Sequence, residues 1–102
     1  MHLTPRETDK LMIYMMATIA RQRKDDGLKL NHPEAVSLIA SAALDGARAG
    51  KTLEQVMELA RKTVTVNDVM EGVVEMIPYV QVEAVFTDGS RLVTVHDPIQ
   101  QA

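Results

Sequence analysis

The side chains able to do chemistry are few and scattered. The chain has no cysteine and three histidines, His2, His32 and His96. They fall near the first residue, at a helix start and in a strand, and no two have the four-residue helical spacing with which a His pair grips a metal. His96 beside Asp97 has the form of an oriented base, a carboxylate holding an imidazole for proton transfer. On the exposed face of a hairpin, however, the same dipeptide is ordinary polar surface. His32 is explained by its place at a helix start. Glu71 and Glu75 suggest paired carboxylates, but Gly72 between them interrupts the turn that would align them. There is no glycine-rich phosphate loop and no Gly-x-Ser-x-Gly elbow. The residues therefore assign no catalytic, metal-binding or cofactor-binding position.

The totals bound the rest. At 102 residues the chain makes one domain, 1–102, with a real core but limited capacity to hide its surface, so a partner could complete the burial. It is 46% hydrophobic but only 3% aromatic, with seven methionines, which predicts a core of aliphatic and thioether groups. Absence of cysteine excludes disulfides and fits a reducing compartment. A net charge of −3 argues against a general nucleic-acid binder. Leu11–Ala20 imitates a signal-peptide core, but Glu7 and Asp9 are wrong for the leading region. It is also too short to span a bilayer. Without a targeting signal the expected location is the cytoplasm.

The elements centre on residues 31–50. Asn31 as cap, Pro33 in the first turn and Glu34 three residues after the cap mark a helix start, and Gly50 a stop, giving a helix over about 32–49. Its polar residues Glu34, Ser37, Ser41, Asp45 and Arg48 fall on one narrow stripe, so the helix should be central and packed on several sides. Thr4-Pro5-Arg6-Glu7 opens an earlier helix over about 5–24, with Leu11, Met12, Met15, Met16 and Ile19 as an apolar side widened by Ile13, Ala17 and Ala20. Arg21-Gln22-Arg23-Lys24 suits the negative end of that helix and reads as solvated. Thr52-Leu53-Glu54-Gln55 opens a third helix, 53–62. Paired with its predecessor it resembles a helix-turn-helix, but Glu54 and Glu58 would face phosphates. A short helix is expected over 67–71, capped by Thr65 or Asn67 and stopped by Gly72.

The last third changes period. Strands over about 79–86 and 91–96 flank Asp88-Gly89, the pair favoured in two-residue hairpin turns. Setting Thr87 opposite Ser90 places Ala84 opposite Val93 and Val82 opposite Val95. Val80, Val82, Ala84, Phe86, Val93 and Val95 then share one face, while Tyr79, Gln81, Glu83, Thr94 and His96 take the other. The expected fold is α+β: a bundle of three main helices plus a short helix, followed by a C-terminal antiparallel hairpin whose apolar side needs cover.

Several blocks together resemble a known family. Leu3-Thr4-Pro5-Arg6-Glu7, Gly27-Leu28-Lys29-Leu30-Asn31-His32-Pro33-Glu34-Ala35, Gly46-Ala47-Arg48, Val69-Met70-Glu71-Gly72-Val73, Glu75-Met76-Ile77-Pro78 and Asp88-Gly89-Ser90-Arg91-Leu92-Val93-Thr94-Val95-His96-Asp97-Pro98-Ile99 resemble, in this order, the urease gamma subunit. The resemblance runs from about residue 3 to 99. Val74 departs from a usual proline, Val66 from a common charge and Tyr79 from a frequent acid.

What the resemblance implies is a non-catalytic structural subunit of the nickel amidohydrolase that turns urea into ammonia and carbamate. In that family the two nickel ions and the catalytic groups belong to the large alpha subunit. Alpha, beta and gamma chains assemble in three copies each, so the implied partners are the alpha and beta subunits, with no nucleic acid and no membrane. The expected contacts with the large subunit are Val69, Met70, Met76, Ile77, Pro78, Val93, Val95, His96, Pro98 and Ile99, apolar or unpaired late in the chain. Two other classes make opposite predictions: a free-standing hydrolase turns over urea or binds nickel alone, and a small binding or nucleic-acid regulatory domain shows salt-sensitive DNA binding.

Overall fold

Three capping boxes set the helical part. In the computed structural model, which describes residues 1–101, the Glu7 carboxylate accepts from the Thr4 amide at 2.8 Å and Thr4 Oγ1 accepts from the Glu7 amide at 3.2 Å. Asn31 and Glu34 exchange the same pair of bonds at 2.8 and 3.0 Å, and Thr52 and Gln55 at 2.9 and 3.2 Å. Each box satisfies two backbone donors that a helix start leaves unpaired. The helices that follow are α1 (Pro5–Asp25), α2 (His32–Arg48) and α3 (Leu53–Arg61). A 3-10 turn (Val66–Asp68), a one-turn α4 (Val73–Met76) and two strands, β1 (Tyr79–Phe86) and β2 (Gly89–His96), complete an α+β fold.

Helix α2 is the centre: α1, β1 and α3 all pack on it. Its polar stripe does not face water along its length. Glu34 and Ser41 are buried. The Tyr14 hydroxyl donates to Asp45 at 2.8 Å, the Arg23 guanidinium pairs with Glu34, and Ser41 donates back to the Leu38 carbonyl at 2.9 Å. The stripe is thus partly a seam against an antiparallel α1. Ala17 and Ala20 of α1 are fully buried, and α1 packs on α2. Of the apolar side read from the spacing, Leu11, Met12, Met15 and Ile19 are exposed, and only the part that Ala17 and Ala20 add is buried.

Gly46 is where α3 comes nearest to α2. A Cβ there would lie 3.1 Å from Val56 Cγ2 and 3.4 Å from Leu59 Cδ2. Gly46→Leu is expected to cost about 1–3 kcal/mol through overpacking. Gly46→Ala should be near neutral, because the gain in helix propensity of ~1 kcal/mol is offset by the displacement of Val56. Thermal unfolding of the two variants checks both.

The hairpin register differs from the expected one by two residues. Phe86 pairs with Gly89, Ala84 with Arg91, Val82 with Val93 and Val80 with Val95. Thr87 and Asp88 form the turn, neither has positive φ, and Gly89 takes φ 123° as the first residue of β2. The mirror-image turn that Asp-Gly favours needs positive φ at both central residues and is not made here. An offset of two keeps every side chain on its face. Val80, Val82, Ala84, Phe86, Val93 and Val95 are accordingly buried, and Tyr79, Val85 and Leu92 exposed.

The expected short helix over 67–71 is replaced by two pieces. Asp68 accepts from the Thr65 amide at 2.8 Å and from the Thr65 hydroxyl at 3.1 Å, which closes the 3-10 turn. Val69 then runs extended beside Leu30, with bonds from the Leu30 amide to Asp68 O at 2.8 Å and from the Met70 amide to Leu30 O at 2.9 Å. This competing bridge draws residues 69–70 out of a helix. Gly72, at φ 87°, starts α4 and does not end the earlier turn. The tail returns under the domain: Pro98 and Ile99 are buried, and the Val66 amide donates to Gln100 O at 2.8 Å.

Candidate interaction surface

Among the described residues no three His, Cys, Asp or Glu side chains come together in a way that could hold a metal ion. The His96 and Tyr79 rings are tilted 58° to each other with centroids 6.2 Å apart, and His96 lies on the exposed face of β2. His32 is the first residue of α2. The crevice between α1 and β1 has a volume of about 260 Å³ and contains Arg6, Asp9, Lys10 and Glu83, without an imidazole. Its Arg6–Glu83 ion pair, at 3.2 Å, lies in solvent and contributes little.

The perturbed acids and phenol hold the fold together. The Asn31 amide, assisted by Arg23, keeps the Glu34 carboxyl below its ordinary range against the opposing effect of burial. Burial and the bond to Asp45 push the Tyr14 phenol up to about 12. Arg91 lowers Asp88 across the turn.

What the chain does present is exposed apolar surface in the absence of a partner. Of the ten positions expected to contact another subunit, Val69, Ile77, Val93, Val95, Pro98 and Ile99 are buried within the chain itself. Met70, Met76, Pro78 and His96 are exposed, with Met76 at 60%. Met76, Pro78 and Tyr79 follow one another from α4 into β1, so they extend the exposed side of the hairpin, where Val85 and Leu92 also lie. The outward side of α1, with Met12 65% and Met15 60% exposed, is a second such surface. Spacing alone revealed that these α1 residues share a side; only the burial of Ala17 and Ala20 shows which side is turned inward.

Patches of this kind mark interaction sites more often than they occur idly on monomers. The comparisons agree in kind. Residues 1–99 match the family described as "Urease, gamma subunit". The chain is 72% identical over 100 residues to the protein named urease subunit gamma from Laribacter hongkongensis, covering 98% of this chain and 100% of that one. With the same coverage it is 66% identical to the protein of that name from Photorhabdus laumondii and 63% identical to that from Yersinia enterocolitica.

Proposed function

Because the chain belongs to the urease gamma-subunit family, and so to the urease complex that degrades urea, we propose that it is the non-catalytic structural subunit of that hydrolase. On this reading it supports assembly with the alpha and beta subunits, three copies of each, in the cytoplasm. The observation that carries the reading is a family match over residues 1–99.

The reaction needs a metal-activated water and a polarised urea carbonyl. The residues present do not fit a pair of nickel ions: the chain has three separated imidazoles, and among the described residues no group of His, Cys, Asp or Glu supplies a ligand set. The reading therefore assigns the ions to the alpha subunit and gives this chain no step in the chemistry. Its contribution is surface. Met70, Met76, Pro78 and His96 form the proposed contact with the large subunit, while their buried neighbours hold that segment in shape. No helix among the described residues is long and apolar enough to cross a membrane.

Co-expression of the tagged chain with the other two subunits tests the proposal. All three are expected to co-purify with urea hydrolysis, and the chain alone to give none. Turnover or stoichiometric nickel binding by the chain alone favours the free-standing hydrolase; salt-sensitive DNA binding favours the regulator. Met76→Asp places a charge on an exposed side chain, so the chain should melt as the parent does, yet recovery of the complex should fall about tenfold or more, in line with one interface anchor lost. Normal recovery would remove Met76 from the contact.

A further inference from the structure

Residues 97–100 leave β2 through a conformation that costs free energy. Asp97 has φ 47°, in the left-handed region, and among the described residues it is the one non-glycine with positive φ. A Cβ disfavours that region, and the proline that follows pushes its predecessor towards extended backbone instead. The Asp97 side chain is exposed, so its own packing does not hold it there. The next three residues do. Pro98 and Ile99 are buried, and Gln100 forms a parallel bridge with Thr65. The strain at Asp97 is thus retained by the docking of what comes after it.

The segment from Val66 to Pro78 carries Met70 and Met76, both exposed and both placed in the contact above. Its regular structure is one three-residue 3-10 turn and the four-residue α4. Helices that short do not persist without outside support. Besides the buried Val73 and Ile77, support comes from backbone bonds at three points. Gln100 O accepts from the Val66 amide at 2.8 Å, and Pro78 O accepts from the Asp97 amide at 2.9 Å. Between them, the Leu30 amide and carbonyl hold Asp68 O and the Met70 amide at 2.8 and 2.9 Å. Both ends of the segment are therefore fastened to residues 97–100, and the turn at Asp97 lets one short stretch reach both.

We propose that residues 97–100 are a clamp closed against strain, which opens as a unit without global unfolding, and that the closed clamp holds Met76 in place for its partner. Asp97 is then a positioning residue. Met70 is held by Leu30 in either state, whereas α4 keeps only its own single turn and two buried side chains once the Pro78 tie is lost. A partner that recognises the closed form draws the equilibrium towards it, so docking and clamp closure favour each other. The role at the contact rests on the assembly reading above; the clamp itself does not.

Substitution at Asp97 reads the strain, because tolerance of positive φ ranks Gly first, Asn with Asp, and β-branched residues last. Amide exchange of the full chain is followed by NMR at Val66, at Ile77, whose amide bonds Val74 O at 3.1 Å, and at Ala43 in α2 as the reporter of global unfolding. Asp97→Val is expected to speed exchange at Val66 and Ile77 at least about tenfold more than at Ala43. Asp97→Asn should leave all three as in the parent, and Asp97→Gly should slow Val66 about fivefold. In co-expression with the other two subunits, Asp97→Val is expected to lower recovery of the complex about tenfold, and Asp97→Asn to recover it fully. Equal acceleration at all three amides, or an Asp97→Asn chain as loose as Asp97→Val, overturns the clamp. Fast exchange at Val66 and Ile77 with full recovery overturns its part in the contact. Should Asp97→Val fail to fold, Ile99→Ala, which shortens a buried side chain of the clamp and leaves Asp97 in place, carries the same expectations as Asp97→Val. If the parent chain itself forms no complex, the assembly reading fails separately, and exchange then decides the clamp.

Discussion

Replacing Val95 by Asp is expected to abolish the folded chain, so that neither soluble monomer nor complex is recovered. Val95 is fully buried and pairs with Val80 on the inner face of the hairpin. A carboxylate there has no cation opposite it, since the neighbouring inward side chains Val80, Val82 and Val93 are all aliphatic. The group must either ionise in an apolar setting or stay protonated without partners, and it also removes the packing of the isopropyl group. Together these effects cost roughly 4–5 kcal/mol or more, against a total stability of about 5–15 kcal/mol for a domain of this size. The expected result is loss of the cooperative thermal transition and accumulation as insoluble protein. Val95→Ala should cost only about 1–3 kcal/mol by opening a small cavity, and should still melt cooperatively. A Val95→Asp chain that melts near the parent temperature would contradict the burial. The contrast with Met76→Asp matters for function: both lower recovery of a complex, but only Met76→Asp leaves the free chain intact, and only it reports on a contact.

The same distinction explains what the sequence could and could not show. Thr4 with Glu7, Asn31 with Glu34 and Thr52 with Gln55 announce helix starts because a capping box is made by residues within one turn of each other. The alternation from Val80 to Phe86 determines which strand residues lie inside because side-chain parity is local, and it survived a two-residue error in register for that reason. Everything that depends on distant residues was less legible. Leu11, Met12, Met15 and Ile19 are as apolar as a core face, yet the inward side of α1 is marked by Ala17 and Ala20, which are buried. Val69 looked helical from its neighbours until Leu30, far away in sequence, drew it into a bridge. The positions expected to contact another subunit divide into buried and exposed ones for a related reason. Residues 69–78 and 93–99 are apolar both where they meet this chain's own core and where they face outward, and composition does not separate the two.

Glu34→Gln is expected to destabilise the chain at neutral pH and to flatten the acid side of its stability profile. Glu34 does two jobs: one oxygen caps the Asn31 amide at 2.8 Å, and the other holds the Arg23 guanidinium across the seam between α2 and α1. Gln keeps an oxygen for the cap but presents an NH2 group to Arg23, which has nothing to accept. Breaking one side of a fully buried pair costs about 3–5 kcal/mol. Arg23 is half exposed and regains water, so about 1–3 kcal/mol is expected, a fall in Tm of roughly 4–20 °C. The sign with pH follows from the lowered carboxyl. Glu34 is held below its ordinary value by the Asn31 amide and by Arg23, so its contribution is fully present above the unfolded value and is lost as pH falls through the folded one. The gap between parent and Glu34→Gln should therefore be widest above about pH 5 and close on acidification, as the protonated acid becomes a near copy of the amide. Denaturant unfolding of the two chains at a series of pH values between about 3 and 7 measures it. A gap that stays constant over that range would mean that the charge on Glu34 does not hold α1 to α2, and that the seam rests on Ala17, Ala20 and the Tyr14–Asp45 bond alone.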